Sequence, residues 1–256
     1  MRNASLLSAL GLLLAAGSAQ AETVRLTVTV QNLAPANGIA FAPLHVGFGA
    51  GSFDAFNLGA AATAPIISVA EGGAGGAWQA AFAAAEPDAV RGTIGGLLLS
   101  GASAQMSFLV DSASQGFFTF ASMVVPSNDF FIGNDDPREY ALFDANGALQ
   151  INQITLRANE IWDAGSEVFD PTAAAFVGDN GLRTDQNSVV AFNFAELAAF
   201  NGLLTGAGYN FQSGLGADSE VYRISFTAQP VPEPASIAML LAGLGVVGAS
   251  LKRRRG

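Results

Sequence analysis

The sequence predicts an all-β fold: an antiparallel β-sandwich with one or two short helices, followed by a C-terminal transmembrane helix. Three observations predict it. Short stretches alternate apolar and polar residues at the strand period. The 30 glycines and 10 prolines, with Asp and Asn, divide those stretches into pieces too short for helices of ordinary length. A charge-free apolar run, Ala235–Leu251, then ends in Lys252-Arg253-Arg254-Arg255.

The elements follow in order. Val24 to Gln31 alternates throughout and reads as a half-buried strand. Asn32 to Gly38 is a loop. Phe41 to Gly47 is apolar but broken by Pro43, which predicts an edge strand or extended segment. Gly49 to Ala64 shows no clear period, and Glu71 to Gly76 reads as a flexible turn. The alanine-rich Ala77–Glu86, bounded by Pro87, predicts a short helix. Gly95 to Ser103 is a connection. Ala104 to Val110 and Phe117 to Val125 read as two strands of a hairpin around Asp111–Gly116. Asn134–Pro137 and Asp144–Gly147 are turns. Leu149 to Leu156 and Tyr222 to Thr227 complete the predicted strands, and Val189 to Phe194 is a further apolar stretch. No repeat of solenoid period is present.

The ends of the chain divide it. Arg2, the apolar stretch Leu6–Ala16 and Ala19-Gln20-Ala21 have the pattern of a secretory signal peptide over residues 1–21. Residues 22–230 form one domain and 231–256 a tail. Of the 11 basic residues, Arg2 and Lys252–Arg255 lie outside the domain; of the 21 acidic residues, only Glu233 does. A domain this acidic is not built for nucleic acid or for anionic lipid. The chain has no cysteine, which excludes thiol catalysis, zinc–thiolate sites and iron–sulfur clusters.

The tail has three parts. Pro232-Glu233-Pro234 holds the chain extended, because proline is barred from helix interiors. The apolar run is about 26 Å long as a helix, at the short end of what spans a bilayer. The basic cluster Lys252, Arg253, Arg254, Arg255 prefers the cytoplasmic side. This order resembles the PEP-CTERM sorting signal of Gram-negative bacteria. The resemblance implies a transient inner-membrane anchor and processing by an exosortase near the triplet. The ectodomain would end at the cell surface or in the extracellular matrix.

Two further stretches carry a second resemblance. Pro126-Ser127-Asn128-Asp129-Phe130-Phe131-Ile132-Gly133 and Trp162-Asp163-Ala164-Gly165-Ser166-Glu167, in that order, are similar to the two motifs of the spondin domain, of the F-spondin N-terminal type. The likeness extends over about Thr23 to Phe226. It implies a C2-like sandwich with a calcium ion between loops at one end, held by Asp129, Asp163 and Glu167. Glu167 stands where the family has Asp, Phe130 stands where it has Trp, and Asn134–Asn146 lengthens the gap between the motifs. The residues themselves allow the same chemistry. Calcium takes six to eight hard oxygens, and Asp163 and Glu167 bracket a compact turn. Read without the family, they are more readily turn-forming, solvated acids than metal ligands.

His45, the single histidine, has no Ser elbow or cysteine to serve, and reads as a packed or surface residue. Asp179 to Asn187 lacks EF-hand spacing and reads as a surface loop rather than a second calcium loop. The expected function is therefore non-enzymatic: an exported spondin-like, calcium-binding module in adhesion or in an exopolysaccharide or biofilm matrix. Its partners would be the exosortase, matrix polysaccharide or surface proteins, and not nucleic acid. The alternative is a secreted hydrolase of matrix polysaccharide, motivated by the abundance of carboxylates.

Overall fold

The computed structural model describes residues 23–231. The predicted signal peptide, the triplet Pro232–Pro234, the apolar run and the basic cluster lie outside the described residues. Among the described residues, no helix is long and apolar enough to cross a membrane.

The strands are β1 (Thr23–Asn32), β2 (Ala40–Phe41), β3 (Leu44–Gly49), β4 (Val90–Ile94), β5 (Ser103–Asp111), β6 (Phe117–Val125) and β7 (Phe130–Gly133). They continue as β8 (Tyr140–Ala141), β9 (Gln153–Arg157), β10 (Trp162–Asp163), β11 (Ala191–Phe192) and β12 (Glu220–Pro230). Two helices, α1 (Ala64–Gly72) and α2 (Gly76–Ala85), separate β3 from β4. One antiparallel sheet has the order β5-β1-β12-β9. The other runs β11-β10-β7-β6-β3-β4, with β2 and β8 also paired to β6.

The sheets face each other across one apolar core. The inward residues of β1 (Leu26, Val28, Val30) and β12 (Ile224, Phe226) meet Val46 and Phe48 of β3 and Phe118 and Phe120 of β6. Phe118 and Phe226 touch edge to face across the layers, ring centroids 5.0 Å apart. Such pairs add roughly 0.5–1.5 kcal/mol to the gain from burial alone. The second sheet is buried on its other face too. There Phe53, Phe56, Ile66, Val69, Trp78 and Phe82 cover Phe131 and Trp162. The molecule is thus a β-sandwich with a helical third layer on one side.

Three sequence readings change here. Phe41–Gly47 is no edge: β3 lies between β4 and β6 with every residue buried. Pro43 precedes the strand, so its missing N–H costs no ladder bond. The predicted hairpin does not form. Residues 104–110 and 117–125 are strands, but β5 belongs to the first sheet and β6 to the second, and Asp111–Gly116 carries the chain between them. The stretch with no clear period contains the start of α1. Thr63 caps it by accepting the Ile66 N–H, Pro65 enters its first turn, and left-handed Gly73 closes it. The predicted alanine-rich helix is present as α2, displaced by one residue.

Candidate cation site

The two motifs meet at one end of the sandwich. β6 runs to that end and β7 returns from it, so Ser127-Asn128-Asp129 forms the crossing. Ser127 fixes the bend: its hydroxyl donates to the Val124 carbonyl and accepts the Phe130 N–H at 3.1 Å. β10 pairs with β7 in the register Trp162↔Phe131 and Asp163↔Phe130. This sets the second motif beside the first.

Asp129 is 3% exposed. Its Oδ2 accepts the backbone N–H of Ser166 at 2.7 Å, the N–H of Glu167 at 3.0 Å and the Ser166 hydroxyl at 3.2 Å. The turn that presents these donors depends on Gly165. Its φ of +64° suits glycine, and an added Cβ would lie 2.7 Å from the Val189 carbonyl oxygen. Asp163 Oδ1 accepts the Gly165 N–H at 2.7 Å, and Oδ2 accepts from the Asn193 side-chain amide at 3.1 Å.

The electrostatics are unusual for a structural turn. Burial, and then the neighbouring charge of Asp163, push the Asp129 carboxyl up to about 7, against the pull of its three donors. Among the described residues, no Lys, Arg or His pairs with either acid.

Glu167 is 2% exposed and turns to a different set of neighbours. Its Oε1 accepts from the Asn128 amide at 2.9 Å, and its Oε2 is buried without a hydrogen-bond partner. Burial raises its pKa, with Glu71 adding to the rise and Asn128 and Arg183 opposing it. Arg183 pairs with Glu71 at 2.9 Å. The structure therefore brings Asp129 and Asp163 together, and ties Glu167 to Asp129 through its backbone. It does not draw the three carboxylates onto one point: among the described residues, no three of His, Cys, Asp and Glu stand as a ready ligand group.

Apart from half-buried Asn180, residues 179–187 are exposed, as expected of a surface loop, and they lie against this end. Thr184 accepts the Val168 N–H, Ser166 accepts the Gln186 N–H, and Glu167 bridges to Asp185. Glu196 is the residue sequence reasoning missed. The Asn193 amide donates to both Asp163 Oδ2 and Glu196 Oε1, the latter at 2.5 Å. Burial and the Asp163 charge raise the Glu196 pKa. Nothing in the order of residues marks it, because it lies in the Phe194–Phe200 3₁₀ segment, well beyond both motifs. His45 is packed: its ring nitrogens face the Thr93 hydroxyl at 3.0 Å and the Gly73 carbonyl at 3.2 Å.

Comparison with known proteins bears on the tail. Residues 230–255 match the PEP-CTERM protein-sorting motif. No curated protein matches the chain. The motif implies a protein secreted from, or carried on the surface of, a Gram-negative cell and processed by an exosortase.

Proposed function

We propose that the chain is a non-enzymatic, spondin-like surface or matrix module: a C2-like sandwich that takes calcium at one end and acts in adhesion or in exopolysaccharide and biofilm matrix. The sorting motif supports the export and processing half of this reading. The Asp129–Asp163 pair supports the other half.

The carrying observation is a buried carboxylate near a second carboxylate with, among the described residues, no basic residue paired to either. Such a pair needs a counter-charge, from a proton or from a cation. The donor set consists of hard oxygens, which suits calcium. Asp129 and Asp163 would hold the ion, and Glu167, whose Oε2 has no partner, would join them by turning its carboxyl away from Asn128. Backbone carbonyls of the two loops would supply further oxygens.

A hydrolase would also want two close carboxylates, one of raised pKa. It would want them in a cleft. A cavity of about 540 Å³ is lined by Gly49, Ser112, Ser114, Phe117 and Asn146, at the opposite end of the sandwich. That separation favours the binding reading.

Thermal unfolding of the domain in calcium and in chelator tests it. At 1 mM calcium, a dissociation constant of about 10 μM adds about 2.7 kcal/mol. For a domain of this size the midpoint then rises by about 5–11 °C. Asp163→Ala should abolish the rise. An equal midpoint in calcium and chelator would remove the metal from the reading and leave only the sorting tail.

A further inference from the structure

The chain just after the predicted signal-peptide cleavage site and the chain entering the sorting tail lie side by side. β1 and β12 pair antiparallel from Asn32↔Tyr222 to Val24↔Pro230, and the Val231 N–H then donates to the Thr23 carbonyl at 3.1 Å. So the first residues after the predicted signal-peptide cleavage site lie against the residues that enter the sorting motif. The motif match begins at residue 230, which is still a ladder residue.

Only Pro232, Glu233 and Pro234 separate that last ladder bond from the apolar run. Fully extended, three residues reach about 10 Å. The headgroup layer on each side of a bilayer is itself about 5–8 Å thick. While the run is in the membrane, the sheet end therefore has no room to stand away from it.

The strand directions say what lies at each end. β5 ends at this end, with Thr23 opposite Asp111, and β6 starts from it. The Ser112–Gly116 loop, the Asp144–Ala148 turn and Gly49–Ser52 are all gathered there. The end offers small neutral residues with Asp88, Asp111 and Asp144. Of the bases near them, Arg138 is engaged by the Gly51 carbonyl and the Phe117 ring, Arg91 by the Glu86 and Ala89 carbonyls, and Arg25 is exposed on β1 opposite Leu109. The tether, and not charge, would hold this face to lipid. The opposite end carries Asp129, Asp163 and Glu167. The ladder between the two ends spans about 30 Å.

We infer that the end of the sandwich bearing Ser112–Gly116 and Asp144–Ala148 is a membrane-facing surface. It is apposed to the lipid headgroup layer for as long as the tail is uncleaved, and it presents the carboxylate loops away from the membrane. The inference rests on reading Ala235–Leu251 as a membrane span and deepens the proposed export route.

The absence of cysteine allows a direct test. The chain with its tail intact, carrying a fluorophore at Ser114→Cys or at Asn187→Cys, is reconstituted into vesicles whose lipids bear a headgroup quencher. Both positions are exposed, and they lie at opposite ends of the fold. The Ser114→Cys label should be quenched several-fold more than the Asn187→Cys label, and the difference should vanish for a chain ending at Val231. Co-flotation with equal quenching, or quenching in the reverse order, overturns the orientation while leaving the anchor intact. Failure of the intact chain to float with the vesicles overturns the anchor and this inference with it.

Discussion

At the scale of single residues, buried carboxylates divide into those the fold satisfies and those it does not. Glu86, 7% exposed, is satisfied. Burial alone would raise its pKa. The backbone N–H groups of Ser52, Ala50 and Phe53 outweigh that effect and hold it below the usual carboxylate value. A depressed carboxylate binds fewer protons folded than unfolded. Its contribution is therefore complete above the unfolded value near 4.5 and is lost as pH falls through the folded one. Glu86→Gln should cost about 1.5–3 kcal/mol at neutral pH, the range for hydrogen bonds to a charged group. The gap between variant and parent should narrow in acid below that value. Denaturant melts at pH 7 and pH 3.5 measure both; a gap independent of pH would mean that the Glu86 charge is not what holds the Ala50–Phe53 loop. Asp129 shows the opposite case, with burial and Asp163 outweighing its donors. Glu196 extends the unsatisfied group through the shared Asn193 amide.

At the scale of elements, glycine sets how closely the helical layer lies on the second sheet. A Cβ at Gly47 of β3 would fall 2.2 Å from the Phe82 ring of α2, and one at Gly49 would strike the Glu86 carboxylate. The helix rests on bare backbone, so Phe82 can bury itself against Trp78 and Phe53. Gly47→Ala should push α2 outward and cost about 1–3 kcal/mol, the range for overpacking a filled core. Combining it with Phe82→Leu should recover part of that loss, which a two-by-two set of melts detects; strictly additive losses would show that the ring is not the obstacle. This contact also marks how far the sequence could be read. β1, β12 and α2 were legible, because each declares its buried face through its own period: Val24 to Gln31 alternates, and Ala77 to Glu86 is alanine-rich. The place of β3 was not, since its neighbours are decided by residues far along the chain and Pro43 pointed to an edge. The β5–β6 pair was misread for a related reason: a tight turn of Ser, Gln and Gly serves a hairpin and a crossing between sheets equally well. At the site, the pairing of β10 with β7 sets Asp163 beside the Asp129 loop. The Glu167 carboxyl is held by the Asn128 amide, a pairing 39 residues apart that no local pattern reveals.

At the scale of the whole molecule, the chain closes on itself with its last strand. β12 is no edge: it lies between β1 and β9 and brings Val221, Tyr222, Ile224 and Phe226 into the core. Burying four such side chains is worth about 6–12 kcal/mol at roughly 1.5–3 kcal/mol each, as much as the entire stability of an ordinary domain. With no cysteine in the chain, no disulfide can compensate for a missing strand. A chain ending at Asp218 should therefore lack a cooperative unfolding transition, and its amides should exchange rapidly with solvent throughout. A chain ending at Val231 keeps every β1–β12 ladder bond and should unfold cooperatively. A cooperative transition in the chain ending at Asp218 would show that the remaining strands close a core without β12. If they cannot, the domain completes its core only when the residues that enter the sorting motif are in place. Folding and presentation of the processing site then coincide, because Pro230 belongs to both.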